Sequence, residues 1–175
     1  MSGKPKTPPF LIHSIRSARL WMMPAPSFLR GLGNTIKYCA DLEIRHLLST
    51  VEPHEVSALE LEGLSAACSA NDIKLLNFPM VDRQPPQSLE AFLRMSSDLH
   101  RHLVNGESVG IHCKSGIGRS GMHICALLGK LGFGFEEALR LIEIRRGLAA
   151  PNTSEQLDWL KQNWKKISVH SRPAS

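Results

Sequence analysis

The sequence predicts an α/β fold with a mostly parallel central sheet of about four to five strands, flanked by helices on both faces. Short apolar runs without helix periodicity recur at residues 19–23, 46–51, 73–78 and 108–112. Between them lie stretches whose apolar residues repeat at helical spacing, and strands separated by helices in this way build βαβ units. After the last apolar run the chain carries only helical patterns, so the sheet is complete before the final third begins.

Each element has its own signal. Residues 19–23 (RLWMM) form an apolar run stopped by Pro24 and Pro26, which reads as an early strand. Ile36, Cys39 and Ala40 give residues 35–42 a helical face, and the run 46–51 reads as a buried strand. Residues 55–70, with Leu59, Leu61, Leu64 and Ala67, read as helix-rich. Ile73 to Phe78 is a further strand, halted by Pro79. Ser88 is a good N-cap for a helix to about Val104, with Leu89, Phe92, Leu93, Leu99 and Leu103 for its buried face and Asn105-Gly106 to end it. Helices are then expected over 120–131, 135–146 and 153–167.

The chain has 175 residues, 42% hydrophobic and 21% charged, which suits one globular domain. Residues 1–15 contain three prolines and no apolar signal region, and are expected to be a mobile tail. Residues 16–170 read as a single domain and 171–175 as a second short tail. No run is long and apolar enough to span a membrane. The four cysteines, Cys39, Cys68, Cys113 and Cys125, show neither CxxC pairing nor zinc-site spacing, so reduced thiols and a cytoplasmic location are expected, with no metal. A net charge of +5 suits anionic substrates, but the basic residues are scattered and aromatics make up only 6%, so nucleic acid is not an expected partner.

The chemistry is carried by His112-Cys113-Lys114-Ser115-Gly116-Ile117-Gly118-Arg119-Ser120, placed between a strand and a helix start. Backbone N–H groups of such a turn point inward and form an anion site, to which the helix N-terminus adds positive charge. Gly116, Gly118 and Gly121 allow the tight curvature. That environment favours the ionised, nucleophilic form of Cys113. Arg119 can grip two phosphoryl oxygens at once. Ser120 offers a hydroxyl to the sulfur when it later leaves, and His112 is suited to ordering the loop. The segment from Gly116 to Gly121 also reads as GxGxxG. A dinucleotide site would need an acid ending a second strand, whereas Glu136 and Glu137 open a helix. A cysteine that merely fills a core position, as expected for Cys39, Cys68 and Cys125, needs no arginine or glycines around it.

HCKSGIGRS resembles the HC-x5-R-S/T signature of the cysteine-based protein tyrosine and dual-specificity phosphatases, and the likeness runs from about Arg19 onward. The resemblance implies that family's α/β fold, with 16–170 as a compact dual-specificity-type catalytic domain and the site at the carboxyl end of the sheet. It implies hydrolysis of phosphate monoesters through a cysteinyl-phosphate intermediate, on phosphotyrosine and also phosphoserine or phosphothreonine, with Cys113 as nucleophile and residues 114–119 as the phosphate loop. No cofactor and a monomeric enzyme are expected. The partners are phosphorylated proteins or small phosphate esters.

The family's general acid lies about thirty residues before the cysteine, which points to Asp82 in FPMVDRQPP. Gln156 matches the glutamine that positions the hydrolytic water, although Thr153 and Gln156 also have the spacing of a capping box. Arg146 matches a mainly structural arginine. Lys114 keeps an inositol-phosphate or phosphoinositide substrate open. A domain that binds phosphate without turnover is the other alternative, and it would have no need of Asp82.

Overall fold

The computed structural model describes residues 8–169. Five strands form one sheet: β1 (Phe10–Ile15), β2 (Ala18–Met23), β3 (Ile44–Ser49), β4 (Lys74–Asn77) and β5 (Ser108–His112). Their order is β1-β2-β5-β3-β4, with β1 antiparallel to β2 and every other pairing parallel. The helices are α1 (Ser27–Arg30), α2 (Leu32–Asp41), α3 (Leu64–Ser69), α4 (Leu89–Val104), α5 (Gly118–Lys130), α6 (Phe135–Arg146) and α7 (Ser154–Ile167).

Parallel strands must be apolar on both faces, and here successive residues alternate between two cores. Leu20, Met22, Leu48, Val109 and Ile111 join a core with Phe92, Leu99, Ile124, Ile142 and Leu160, from α4 to α7. Trp21, Met23, Ile44 and Leu47 join the other, with Ile36, Cys39, Leu64 and Cys68 of α2 and α3. β5 and α5 lie at the centre: every residue of β5 is buried, as is α5 from Arg119 to Lys130. The segment joining them is therefore supported at both ends.

Two expectations are corrected. Residues 10–15, read as tail, form the edge strand β1, with Phe10 and Ile12 buried. The turn joining it to β2 is Arg16-Ser17, with Arg16 at φ 53°, and it lacks the Asn-Gly or Asp-Gly pair that marks a hairpin in sequence. Residues 1–7 of the first tail, and residue 170 with the whole of the second tail, 171–175, lie outside the described residues.

Residues 55–70 are not mainly helical. A 3-10 turn over Pro53–Glu55 gives way to a looped segment, and only α3 is helix. Glu60 at φ 52° breaks the helical path, while Leu59, Leu61 and Leu64 are buried as anchors of the second core. Apolar spacing here serves anchoring rather than a helix face.

Candidate active site

β5 delivers Cys113 to the carboxyl end of the sheet, at its middle. The carbonyl of His112 accepts hydrogen bonds from the N–H of Thr50 at 3.1 Å and its hydroxyl at 2.9 Å, which fixes the strand end. The loop then turns inward. The Gly116 N–H donates to Cys113 Sγ at 3.2 Å, and Ser120 Oγ lies 3.3 Å from the same sulfur. Gly116 is at φ 64°, and a Cβ there would sit 2.6 Å from Met23 C and Pro24 N, so both conformation and space require glycine. From outside, Arg146 donates to Gly116 O at 2.9 Å and Ser115 O at 3.3 Å, while the Ala25 N–H holds Lys114 O at 2.9 Å. Lys114 and Ser115 are exposed, and Ile117 and Gly118 are half-buried. Gly121 does not shape the turn: it lies inside α5, where a Cβ would meet Pro151 N at 2.9 Å.

His112 is fully buried, and burial first, with Arg119 adding to it, pushes its pKa down to about 4 against a raising hydrogen bond to the Cys113 carbonyl. The ring is neutral at pH 7. Its Nδ1 lies 3.2 Å from Cys113 O, so as Nδ1–H it donates into the loop. Among the other thiols, burial pushes Cys39 up to about 12 and Cys68 to about 11, and raises Cys125 as well. They stay protonated core residues.

Arg119 is the largest fully buried side chain, 1% exposed. Glu55 grips it at both ends, Oε2 to Nη1 at 2.5 Å and Oε1 to Nη2 at 3.0 Å, while Nη1 also donates to Met80 O at 3.1 Å. Burial works against charge on both partners. The pair overrides it: the Glu55 pKa is lowered by Arg119 and the Glu52 N–H, and the Arg119 pKa is raised by Glu55, Cys113 and Asp82. Arg119 Nε is buried with no hydrogen-bond partner among the described residues. A guanidinium clamped across Nη1 and Nη2 by Glu55 keeps its Nε–H and the second Nη2 proton, which Asp82 now faces, for an oxyanion.

Glu55 is absent from the sequence expectations. It is one of four glutamates between residues 52 and 62, and no spacing separates it from the others. Only the fold brings it to an arginine 64 positions away.

Asp82 lies on the loop after β4, and its carboxylate pairs with Arg119 Nη2 at 3.2 Å, with 55% of the side chain exposed. The start of α7 tethers this loop. Thr153 Oγ1 accepts from the Gln156 N–H at 3.3 Å and lies 3.2 Å from Arg83 O, to which its hydroxyl donates. The Thr153 half of the capping box is therefore real. The Gln156 side chain does not complete it: its Nε2 donates to Gln84 O at 3.2 Å. Fully buried, Gln156 rests on the phosphate loop, with Oε1 2.9 Å from where a Cβ on Gly118 would lie. Oε1 has no partner among the described residues. Cys113, Arg119, Asp82, Ser120 and Gln156 thus converge on one place, from four separate elements.

The chain is similar to known proteins in sequence and in fold. The chain is 30% identical over 130 residues to dual specificity protein phosphatase 22 of Mus musculus and of Homo sapiens, covering 73% of this chain and 62% of theirs. It therefore spans a little under two thirds of the length of these relatives. Among solved structures it resembles kinase associated phosphatase with its catalytic cysteine replaced by serine, at TM-score 0.75 and 22% identity over 87% of this chain and 88% of that one. It also resembles PTPMT1 in complex with PI(5)P, at TM-score 0.72 and 22% identity over 89% and 96%. These two likenesses speak for the fold. The profile of the dual specificity phosphatase catalytic domain matches residues 34–166, and the chain belongs to that family.

Proposed function

We propose that this protein hydrolyses phosphate monoesters of protein phosphotyrosine, and of phosphoserine and phosphothreonine, through a cysteinyl-phosphate intermediate. The observation that carries the reading is a sulfur nucleophile, an anchored guanidinium and a carboxyl group gathered at a loop whose Gly116 N–H points at the sulfur.

The Cys113 thiolate attacks phosphorus, forming the S–P bond as the P–O bond to the leaving group breaks. Loop N–H groups and the Nε–Nη2 edge of Arg119 follow the charge on the phosphoryl oxygens. In swinging toward the phosphoryl group, Arg119 Nη2 gives up Asp82, and Asp82 as its carboxylic acid delivers the proton to the departing oxygen. In the second step Asp82, now a carboxylate, takes a proton from the attacking water. Water oxygen bonds to phosphorus, and the S–P bond breaks to return the thiolate and release inorganic phosphate. Ser120 Oγ, 3.3 Å from the sulfur, donates to that thiolate. The free Oε1 of Gln156 is the acceptor that orients the water. The four free cysteines suit a reducing compartment, which supports a cytoplasmic location.

The test is hydrolysis of an aryl phosphate between pH 5 and 8 by wild type and by Cys113→Ser, with vanadate as inhibitor, followed by phosphopeptides and inositol phosphates. Turnover that requires Cys113, is blocked by vanadate and extends to phosphopeptides is the expected result. Faster turnover of inositol phosphates than of any phosphopeptide would move the substrate to the second class, for which the exposed Lys114 on the rim is the supporting feature. A folded wild type as inactive as the variant would make the domain a phosphate-binding module.

A further inference from the structure

At the amino end of the sheet, opposite the phosphate loop, three side chains from separate elements meet. His46 stands on β3, His102 in the last turn of α4 and Glu107 just before β5. His46 Nε2 is 3.0 Å and His102 Nδ1 2.6 Å from the same carboxylate oxygen of Glu107. The imidazoles stack with centroids 3.6 Å apart and planes at 23°, which turns both nitrogens toward one point. All three ligand atoms lie within 4.8 Å of one another.

We propose that His46, His102 and Glu107 form a binding site for a borderline divalent transition-metal ion of the zinc class. Two imidazole nitrogens and one carboxylate oxygen suit zinc, cobalt or nickel, and are a poor set for magnesium or calcium, which take oxygen ligands. At bond lengths of about 2.0–2.2 Å the donor atoms of such an ion stand roughly 3.3–3.5 Å apart, so Glu107 must draw back by less than about 1 Å and the two imidazole nitrogens, within 4.8 Å of one another, must settle at the same spacing. Its side chain is 45% exposed and has room to do so.

The site opens on a cleft of about 530 Å³ lined by Glu43, Arg45, Asp72 and Lys74, which admits the ion and leaves water the remaining position. Those carboxylates and cations nearly balance, so selection falls to the donor atoms. His46 is 8% exposed, and burial together with the neighbouring His102 lowers its pKa, leaving its lone pair available at neutral pH. A limit on affinity is also visible: ligation through Nε2 places the ring proton on Nδ1, which is buried without a partner. Micromolar rather than nanomolar binding follows. A bound ion would tie the beginnings of β3 and β5 to the end of α4, at the foot of the strand that carries Cys113.

The experiment uses full-length Cys113→Ser protein, so that the active-site thiol offers no competing soft ligand, titrated with zinc chloride by calorimetry. One equivalent is expected to bind with micromolar affinity, and His102→Gln or Glu107→Gln should each weaken it about tenfold or more. On the unsubstituted site, imidazole NMR should show the His46 and His102 resonances moving at one equivalent of zinc while the other histidines stay still. Unmoved resonances, or affinity unchanged in both variants, would overturn the proposal whatever the catalytic result.

Discussion

The two loops that make the active site are held in opposite ways. The phosphate loop is enclosed. Gly116 lies against the end of β2, Arg146 and Ala25 bind its carbonyls from outside, and buried α5 continues from it. The acid loop is tethered at separate points: the Met80 N–H to Thr50 O, Met80 O and Asp82 to Arg119, Thr153 to Arg83 O and Gln156 to Gln84 O, with Val81 37% exposed among them. A preformed anion site costs nothing to organise at the moment of reaction. A loosely tethered acid can approach after substrate arrives and retreat for release. On the proposed mechanism, the difference puts phosphate affinity and proton delivery in separate parts that can be broken separately.

The largest separation is expected from Asp82→Ala. Turnover of phenyl phosphate, a poor leaving group, should fall by about 10²–10⁴-fold. Vanadate affinity should change little, because the enclosed loop is untouched. Equal losses in turnover and vanadate affinity would erase the distinction.

On the other side, Glu55→Gln removes the charged partner of a buried guanidinium. A stability loss on the order of 3 kcal/mol in urea denaturation is expected, with weaker vanadate binding in whatever remains folded. A fully stable variant would mean that Met80 O and Asp82 suffice to hold Arg119.

Thr153→Val cuts one tether of the acid loop. Its effect should appear as a ratio: about tenfold on phenyl phosphate, which needs the acid, and little on an activated nitrophenyl ester, which does not. Thr153→Ser should restore both. Parallel losses on the two esters would point to damage at the helix start instead, where a lost cap costs about 1 kcal/mol.

The pH dependence tests the core that both loops share. His112 and His123 are buried with pKa values lowered to about 4 and about 3, chiefly by burial. For histidines held neutral in the fold, the stabilising contribution is complete above the unfolded value of about 6.5 and is lost as pH falls from there toward the folded values. At pH 5 the loss is about 2 kcal/mol for each ring. Urea midpoints at pH 7 and 5 measure it, and His123→Phe should remove about half the difference. An unchanged slope would show that the ring, edge-to-face with Phe78 and tilted against Phe92, has another route to a proton.

Some of this was legible because the determining interactions are local. The phosphate loop is a continuous run, so the order of cysteine, glycines and arginine could be read directly, and α6 follows its periodicity over Phe135–Arg146. Ser88 does cap α4, accepting from the Ala91 N–H. Asp82 was found by its distance along the chain from Cys113, and that likeness carried the assignment where local pattern could not.

What failed depended on distant partners. β1 exists because Phe10 and Ile12 find the α4–α7 core, a destination no residue within the prolines announces. Glu55 matters because a buried guanidinium 64 positions away needs a carboxylate, and burial makes that need severe. Gln156 carried two readings, cap or water holder. Spacing favoured neither, and the contact with Gln84 settles that its side chain leaves the cap.

The sequence by itself determined the order of cysteine, glycines and arginine in the loop, the α/β alternation and the family. Tertiary structure alone decided which carboxylate holds Arg119, which threonine restrains the acid loop, and which histidines share Glu107. Backbone curvature and helix periodicity are set by neighbours a few residues apart. The pairing of buried charges is settled only when the sheet order has placed their strands and loops side by side.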